Sequence, residues 1–425
     1  GAVVRTSIAF LALIGLSSIG CDPTPAGDGT VAPAAGGGIM APDPDPMPLG
    51  GAQAPDPSGE VEVEDVLARL ANDLVLPTFL RFAELSASLE TATDEWAAAP
   101  MDGALRESAR SAWVDAVFTW QHAELMQLGP AGASGKRLAG DDLRDRIYSW
   151  PSTRTCRIDQ TLLSAEFREP DWSDGALFEV QGLDALEYLL YAEQAENSCS
   201  PAVRINREGL WGNEFTDIPS LTARRAEFAA VVAGGVRVAA DELVMAFSAD
   251  GGNFVNALAA GTAPYTGPAN VLNEVYAALF YLDKVIKDAK LGRPLGIAEG
   301  CDEERCPEAF ESQHSGRGAA HLLANLESFE AMFFGNVDGV EGLGFDDLLT
   351  ARDGAAVATR LAANIAAARM ALELLGDDLA GALDSTPERV EAAHVAIKTV
   401  SDDFKGEVVT ILDLEVPREG SGDSD

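Results

Sequence analysis

Asp184 and Glu187 lie three residues apart in the stretch Gln181-Gly182-Leu183-Asp184-Ala185-Leu186-Glu187-Tyr188. On a helix that spacing places both carboxylates at neighbouring positions of one face, where they can hold a cation between them. Oxygen donors of this kind favour a hard ion such as iron or calcium over zinc. Glu124, Glu311 and His314 are the candidates to complete the metal shell. Glu124 shares a segment with Trp113, Trp120 and His122, and Glu311 and His314 belong to Glu311-Ser312-Gln313-His314-Ser315. The competing reading makes Asp184 and Glu187 an acidic pair on a solvated face, or partners of arginines such as Arg144 and Arg146. His122, beside Trp120, is expected at a helix seam. His314 and His321 are seven apart and are expected in capping or surface roles.

Other chemistries lack their residues. The chain has four histidines and no His-Glu-x-x-His, so a zinc peptidase of that type has no ligand set. A G-x-S-x-G nucleophile turn is also missing. Gly135-Lys136 has no P-loop glycine at Pro130 and carries Arg137 where Ser or Thr is required. The balance of 30 Lys+Arg against 68 Asp+Glu gives a formal charge of -38, a field that repels phosphate backbones. Nucleic acid is excluded as a partner on that ground.

These residues need helices to position them. Val357, Leu361, Ile365, Ala368, Leu372 and Leu375 recur in steps of three and four, and Gly376 follows as a left-handed stop. Thr386-Pro387-Glu388 reads as a cap, first-turn proline and dipole-matched acid opening a last long helix. Further helices are expected over 62–93, 102–128, 176–195, 220–247, 269–289 and 317–334, and no period-2 run is sustained. The expectation is an all-α chain of two tandem antiparallel four-helix-type bundles, 61–205 and 206–425, with the break in 198–218.

The first sixty residues differ. Arg5 precedes an apolar run over 8–16, too short to span a bilayer, and Ser18-Ile19-Gly20-Cys21 resembles a lipoprotein cleavage box. A signal peptide over 1–20 and lipidation of Cys21 are expected, which would make a membrane the partner of the anchor. Residues 21–60 are rich in proline and glycine with little to bury, so a disordered tether is expected. Cys156, Cys199, Cys301 and Cys306 remain. An even number in an oxidising envelope suggests two disulfides, most simply Cys301 with Cys306 and Cys156 with Cys199, although four cysteines allow three pairings.

Several stretches resemble the imelysin family, classed as M75 peptidases and including iron-regulated periplasmic proteins. They are Leu70-Ala71-Asn72-Asp73-Leu74-Val75-Leu76-Pro77, the run from Trp113 to Gly129-Pro130, Ile147-Tyr148-Ser149-Trp150-Pro151, Gln181 to Leu190, Lys290-Leu291-Gly292-Arg293-Pro294-Leu295-Gly296, Glu311 to Ser315, and the tail from Leu412. The resemblance treats 61–425 as one imelysin-like domain and implies two helical bundles with a functional groove near their junction. It also implies a role in iron acquisition or peptide cleavage. The family's G-x-H-x-x-E segment is matched at Gly182 and Glu187, but Asp184 stands in the histidine position. The function expected is therefore an envelope lipoprotein that binds iron, another hard cation or an iron-related ligand and works with iron transport. An M75-type metallopeptidase and a non-catalytic interaction scaffold are the alternatives.

Overall fold

Helix boundaries follow from local chemistry. The computed structural model describes residues 61–417 apart from residue 338. Its principal helices are α1 (Val63–Arg69), α2 (Leu76–Ala98), α3 (Gly103–Ala123), α4 (Gly182–Tyr191), α5 (Ile218–Phe247), α6 (Pro268–Leu279), α7 (Gly318–Phe334), α8 (Ala355–Glu373) and α9 (Pro387–Asp403). Asp102 caps α3 by accepting from the amides of Ala104 and Leu105, and Asp217 caps α5 by accepting from Ser220 ahead of the first-turn Pro219. Between α1 and α2 the chain runs through a wider π turn, Leu70–Val75. Pro77 has no amide to offer the carbonyl of Asp73, which explains a widening at that point. A second π segment, Leu282–Gly292, continues from α6 and buries Asp283, Lys287, Lys290 and Leu291.

Some elements are shorter than the spacing predicts. The expected helix over 176–195 begins only at Gly182, whose φ of +83° ends the preceding irregular segment. A Cβ at that position would lie 2.8 Å from the Ile147 carbonyl oxygen, so glycine also permits the close approach of segment 147–149. Gly376 has φ +69° just beyond α8, as its sequence position suggested. Thr386 occupies the N-cap position of α9, but its hydroxyl bonds back to the Ala382 carbonyl instead of capping. Among the described residues there is no strand, only an isolated antiparallel bridge between Val337 and Val340.

Helices α2, α3, α4 and α5 pack on one another, as do Leu282–Gly292, α7, α8 and α9, and α3 against α7 joins the two sets. One hydrophobic core runs through both sets, with aromatic contacts in each: Phe82 on Trp120 at 4.7 Å and Phe79 on Phe247 at 4.8 Å among the first, Phe404 on Tyr276 at 4.6 Å and on Phe329 at 5.4 Å among the second. Helix α5 lies beyond the break expected in 198–218, yet it packs against α2 and α4. That segment is an excursion pinned to its own side: Cys199 is joined to Cys156, and the Trp211 indole donates to the Ala195 carbonyl. All described helices fall in one compact unit.

Cys301 and Cys306 form the other disulfide. The Cys156–Cys199 link spans 43 residues, so its loss frees far more chain in the unfolded state. Cys156→Ser/Cys199→Ser is expected to lose about 2–4 kcal/mol of unfolding free energy. Urea unfolding of the double variant checks this, and a loss below about 1 kcal/mol would contradict it.

No described helix is long and apolar enough to cross a membrane. The expected signal segment, Cys21 and the tether over 21–60 lie outside the described residues.

Candidate functional site

Asp184 sits in the first turn of α4 and Glu187 one turn on, so the helical spacing places them as the sequence suggests. The face they occupy is buried, with 6% and 5% of each residue exposed. Asp184 Oδ2 accepts from the Ser149 hydroxyl at 3.1 Å, and Oδ1 accepts from the Ala185 amide at 3.2 Å. Glu187 Oε1 accepts from the Ser315 amide at 2.8 Å. Burial raises the pKa of Asp184 to about 7 against the lowering by Ser149, and raises Glu187 to about 7 against Ser315, helped by the charges of Glu311 and Asp184. Neither is the solvated surface pair of the competing reading.

Glu124 follows α3 and is fully buried. Its carboxylate accepts from the Trp120 indole at 2.6 Å, from Arg144 at 3.2 and 3.0 Å and from the Tyr281 hydroxyl at 3.0 Å. Arg144 is thus the partner of Glu124 and not of Asp184 or Glu187. Burial alone would lower the Arg144 pKa, but Glu124 holds it above the usual arginine range.

Glu311 comes from the loop before α7 and is also buried. Oε2 lies 2.7 Å from the Lys290 ammonium and 3.5 Å from His321 Nδ1. Oε1 accepts from the Gln121 amide at 3.1 Å and from the Tyr148 hydroxyl. Burial pushes this carboxyl up, yet Lys290 and His321 outweigh it and leave it well below the ordinary range. Tyr148, bonded to Glu311, is close enough to Asp184 and Glu187 for all three charges to add to burial in raising its own pKa.

His314 is exposed, with its ring centroid 5.1 Å from that of Tyr188 in an edge-on contact. His122, half-buried between helices, reaches Glu327 of α7 at 3.3 Å. His321 is the opposite of the surface residue expected, buried to 1% exposure and bonded to the Ser312 hydroxyl at 3.1 Å. With Asn325 and Ser328 it forms a buried polar stripe on α7 at steps of four and three. Polar residues on the apolar face of a helix were the available signal for them. Lys290 opens the family-like stretch that runs to Gly296, but its spacing carries no sign of a buried role. Asp159 was also missed: both its oxygens accept from the Tyr188 hydroxyl at 3.0 Å and one accepts from Ser198.

The donor set does not fit a bare ion. Glu124 is taken by Arg144, Glu311 by Lys290, and His314 is exposed with its ring against Tyr188, leaving two carboxylates where a hard cation wants about six oxygens. Among the described residues, no group of three or more His, Cys, Asp or Glu is placed to hold a metal ion.

An all-helical chain whose two sets of helices enclose a buried polar centre, with a Gly-x-Asp-x-x-Glu turn feeding it, defines the class. The chain belongs to the imelysin family, described as peptidase M75, whose model matches residues 75–404. Among solved structures it is similar to an iron-regulated protein A precursor from Parabacteroides distasonis, with 16% identity and a TM-score of 0.63 over 84% of this chain and 98% of that one. It is also similar to an imelysin-like protein from Psychrobacter arcticum, with 18% identity and a TM-score of 0.60 over 86% of this chain and 99% of that one. At these identities the likeness establishes the fold. No curated protein matches the chain.

Proposed function

We propose that this chain is a non-enzymatic protein of the bacterial envelope, tethered through Cys21, that binds an iron-bearing ligand at the Asp184–Glu187 centre in iron uptake or delivery. Membership of the imelysin family and the similarity to a structure named as an iron-regulated protein support the iron context. The observation that carries the reading is the contrast between two pairs of buried acids. Glu124 and Glu311 are paired with fixed cations, whereas Asp184 and Glu187 are held by neutral serine donors and have pKa values near 7. An incoming cationic centre can discharge the protons of the second pair. Two carboxylates are too few for a naked ion but suit iron that arrives in a chelate bringing its own donors.

Calorimetric titration with ferric citrate, against citrate alone, tests this. The wild type is expected to bind, and Asp184→Asn/Glu187→Gln to bind at least about tenfold more weakly, a loss of about 1.4 kcal/mol or more. No binding by the wild type, or equal binding by the double variant, would sink the reading.

A further inference from the structure

We propose that the Lys290 ammonium is the resident cation of the junction, held in a cage that is selective for a primary ammonium group and complete without a metal ion. Lys290 leaves the π segment Leu282–Gly292 and is 1% exposed, which is rare for a lysine and costs stability unless the charge is matched. Its Nζ faces three oxygens drawn from three other elements. These are Asn325 Oδ1 of α7 at 2.6 Å, Gln121 Oε1 of α3 at 2.9 Å and Glu311 Oε2 of the loop before α7 at 2.7 Å. Nζ donates hydrogen bonds to the two amide oxygens, and Glu311 Oε2 holds it as an ion pair. The rings of Trp150 and Tyr281, each with its centroid 5.7 Å away, close the remaining sides with aromatic faces that favour a cation.

The hydrogen-bond network fixes which way the amides point. Asn325 Nδ2 donates to the Gln121 carbonyl at 2.7 Å and to Gln121 Oε1 at 2.9 Å, so its Oδ1 is turned to the lysine. Gln121 Nε2 donates to Glu311 Oε1 at 3.1 Å, so its Oε1 is turned the same way. The oxygens that would greet a metal ion are thus already aimed at Nζ. The cage holds one carboxylate and one ammonium, and adding an ion beside Nζ would set two positive charges against a single negative one in a medium of low dielectric. The metal expected from the sequence at these acids is replaced at this centre by a side chain.

This inference does not depend on the ferric-chelate reading, since the cage can be tested without any iron compound. Lys290→Ala removes the chain beyond Cβ, and n-propylammonium matches what is lost. In thermal unfolding of the full chain, n-propylammonium is expected to raise the midpoint of Lys290→Ala saturably and to leave the wild type unmoved. Tetramethylammonium at equal concentration, which cannot donate to the three oxygens, is expected to do neither. Equal responses to the two amines would overturn the proposal. Should Lys290→Ala fail to fold, Lys290→Met and Lys290→Met/Glu311→Gln provide the comparison. The double variant is expected to be the more stable because it no longer buries an unmatched carboxylate, and a double variant no more stable than the single would overturn the proposal. Chelator treatment of the wild type is expected to leave its midpoint unchanged. A fall on chelation that Glu311→Gln abolishes would place a metal in the cage and end the proposal.

Discussion

Arg144→Met is expected to lower the unfolding free energy by about 3–5 kcal/mol, the range for stripping one partner from a buried ion pair. The Glu124 carboxylate has no exposure, and Arg144 donates to both of its oxygens while also bonding the Trp150 carbonyl at 2.9 Å. Without the guanidinium, Trp120 and Tyr281 still donate, but two neutral donors do not offset the cost of a buried charge. Arg144→Met/Glu124→Leu is expected to recover most of the loss, because burying two apolar side chains avoids the desolvation of both ions. Urea unfolding of the two variants supplies the measurement. A single variant within about 1 kcal/mol of the wild type would mean that the pair is not sealed from water in the way described.

Raising the pH from about 5 to about 8 is expected to cost the wild type a few kcal/mol relative to Asp184→Asn/Glu187→Gln. Asp184 rises from 3.8 to about 7 and Glu187 from 4.5 to about 7, so between these values the folded chain holds protons that the unfolded chain has released. Stability from this source is fully present below the unfolded pKa values and drains away as pH climbs through about 7. A tenfold change in proton affinity is worth about 1.4 kcal/mol, and the mutual repulsion of the two carboxylates keeps the total below the simple sum. His321, which burial lowers from 6.5, acts in the opposite direction on the acid side, and Asp346, raised to about 7, acts in the same direction. Both remain in the variant, so the difference between the two proteins isolates the α4 pair. Parallel stability curves for wild type and variant across this range would show that the two carboxylates are already ionised in the folded chain.

Much of this protein is written in its sequence because much of it is local. The steps of three and four that place Val357 through Leu372 on one side of α8 report helix geometry and core direction together. Asp102, Pro219, Gly376 and Pro387 punctuate the chain through groups within a few residues of themselves. The Gly182-to-Glu187 spacing fixes two carboxylates on one helix face, and it does so wherever that helix goes. Even the disulfide partners Cys301 and Cys306, five apart, needed only a short loop.

What the face meets is a different kind of fact. Asp184 and Glu187 are buried because the chain around Ser149 and Ser315 closes over α4, 35 and 128 residues away in sequence. Glu124 and Glu311 resemble the α4 acids in type, and nothing near them in the chain separates the two pairs. Arg144 and Lys290 separate them, the latter reaching Gln121 across 169 residues. A carboxylate's charge, its proton and its freedom to meet a ligand depend on local dielectric and on the nearest cation, and both are properties of the packed interior. The sequence by itself therefore determined the helices and the carboxylate pair, and only the tertiary structure decided which acids were already matched.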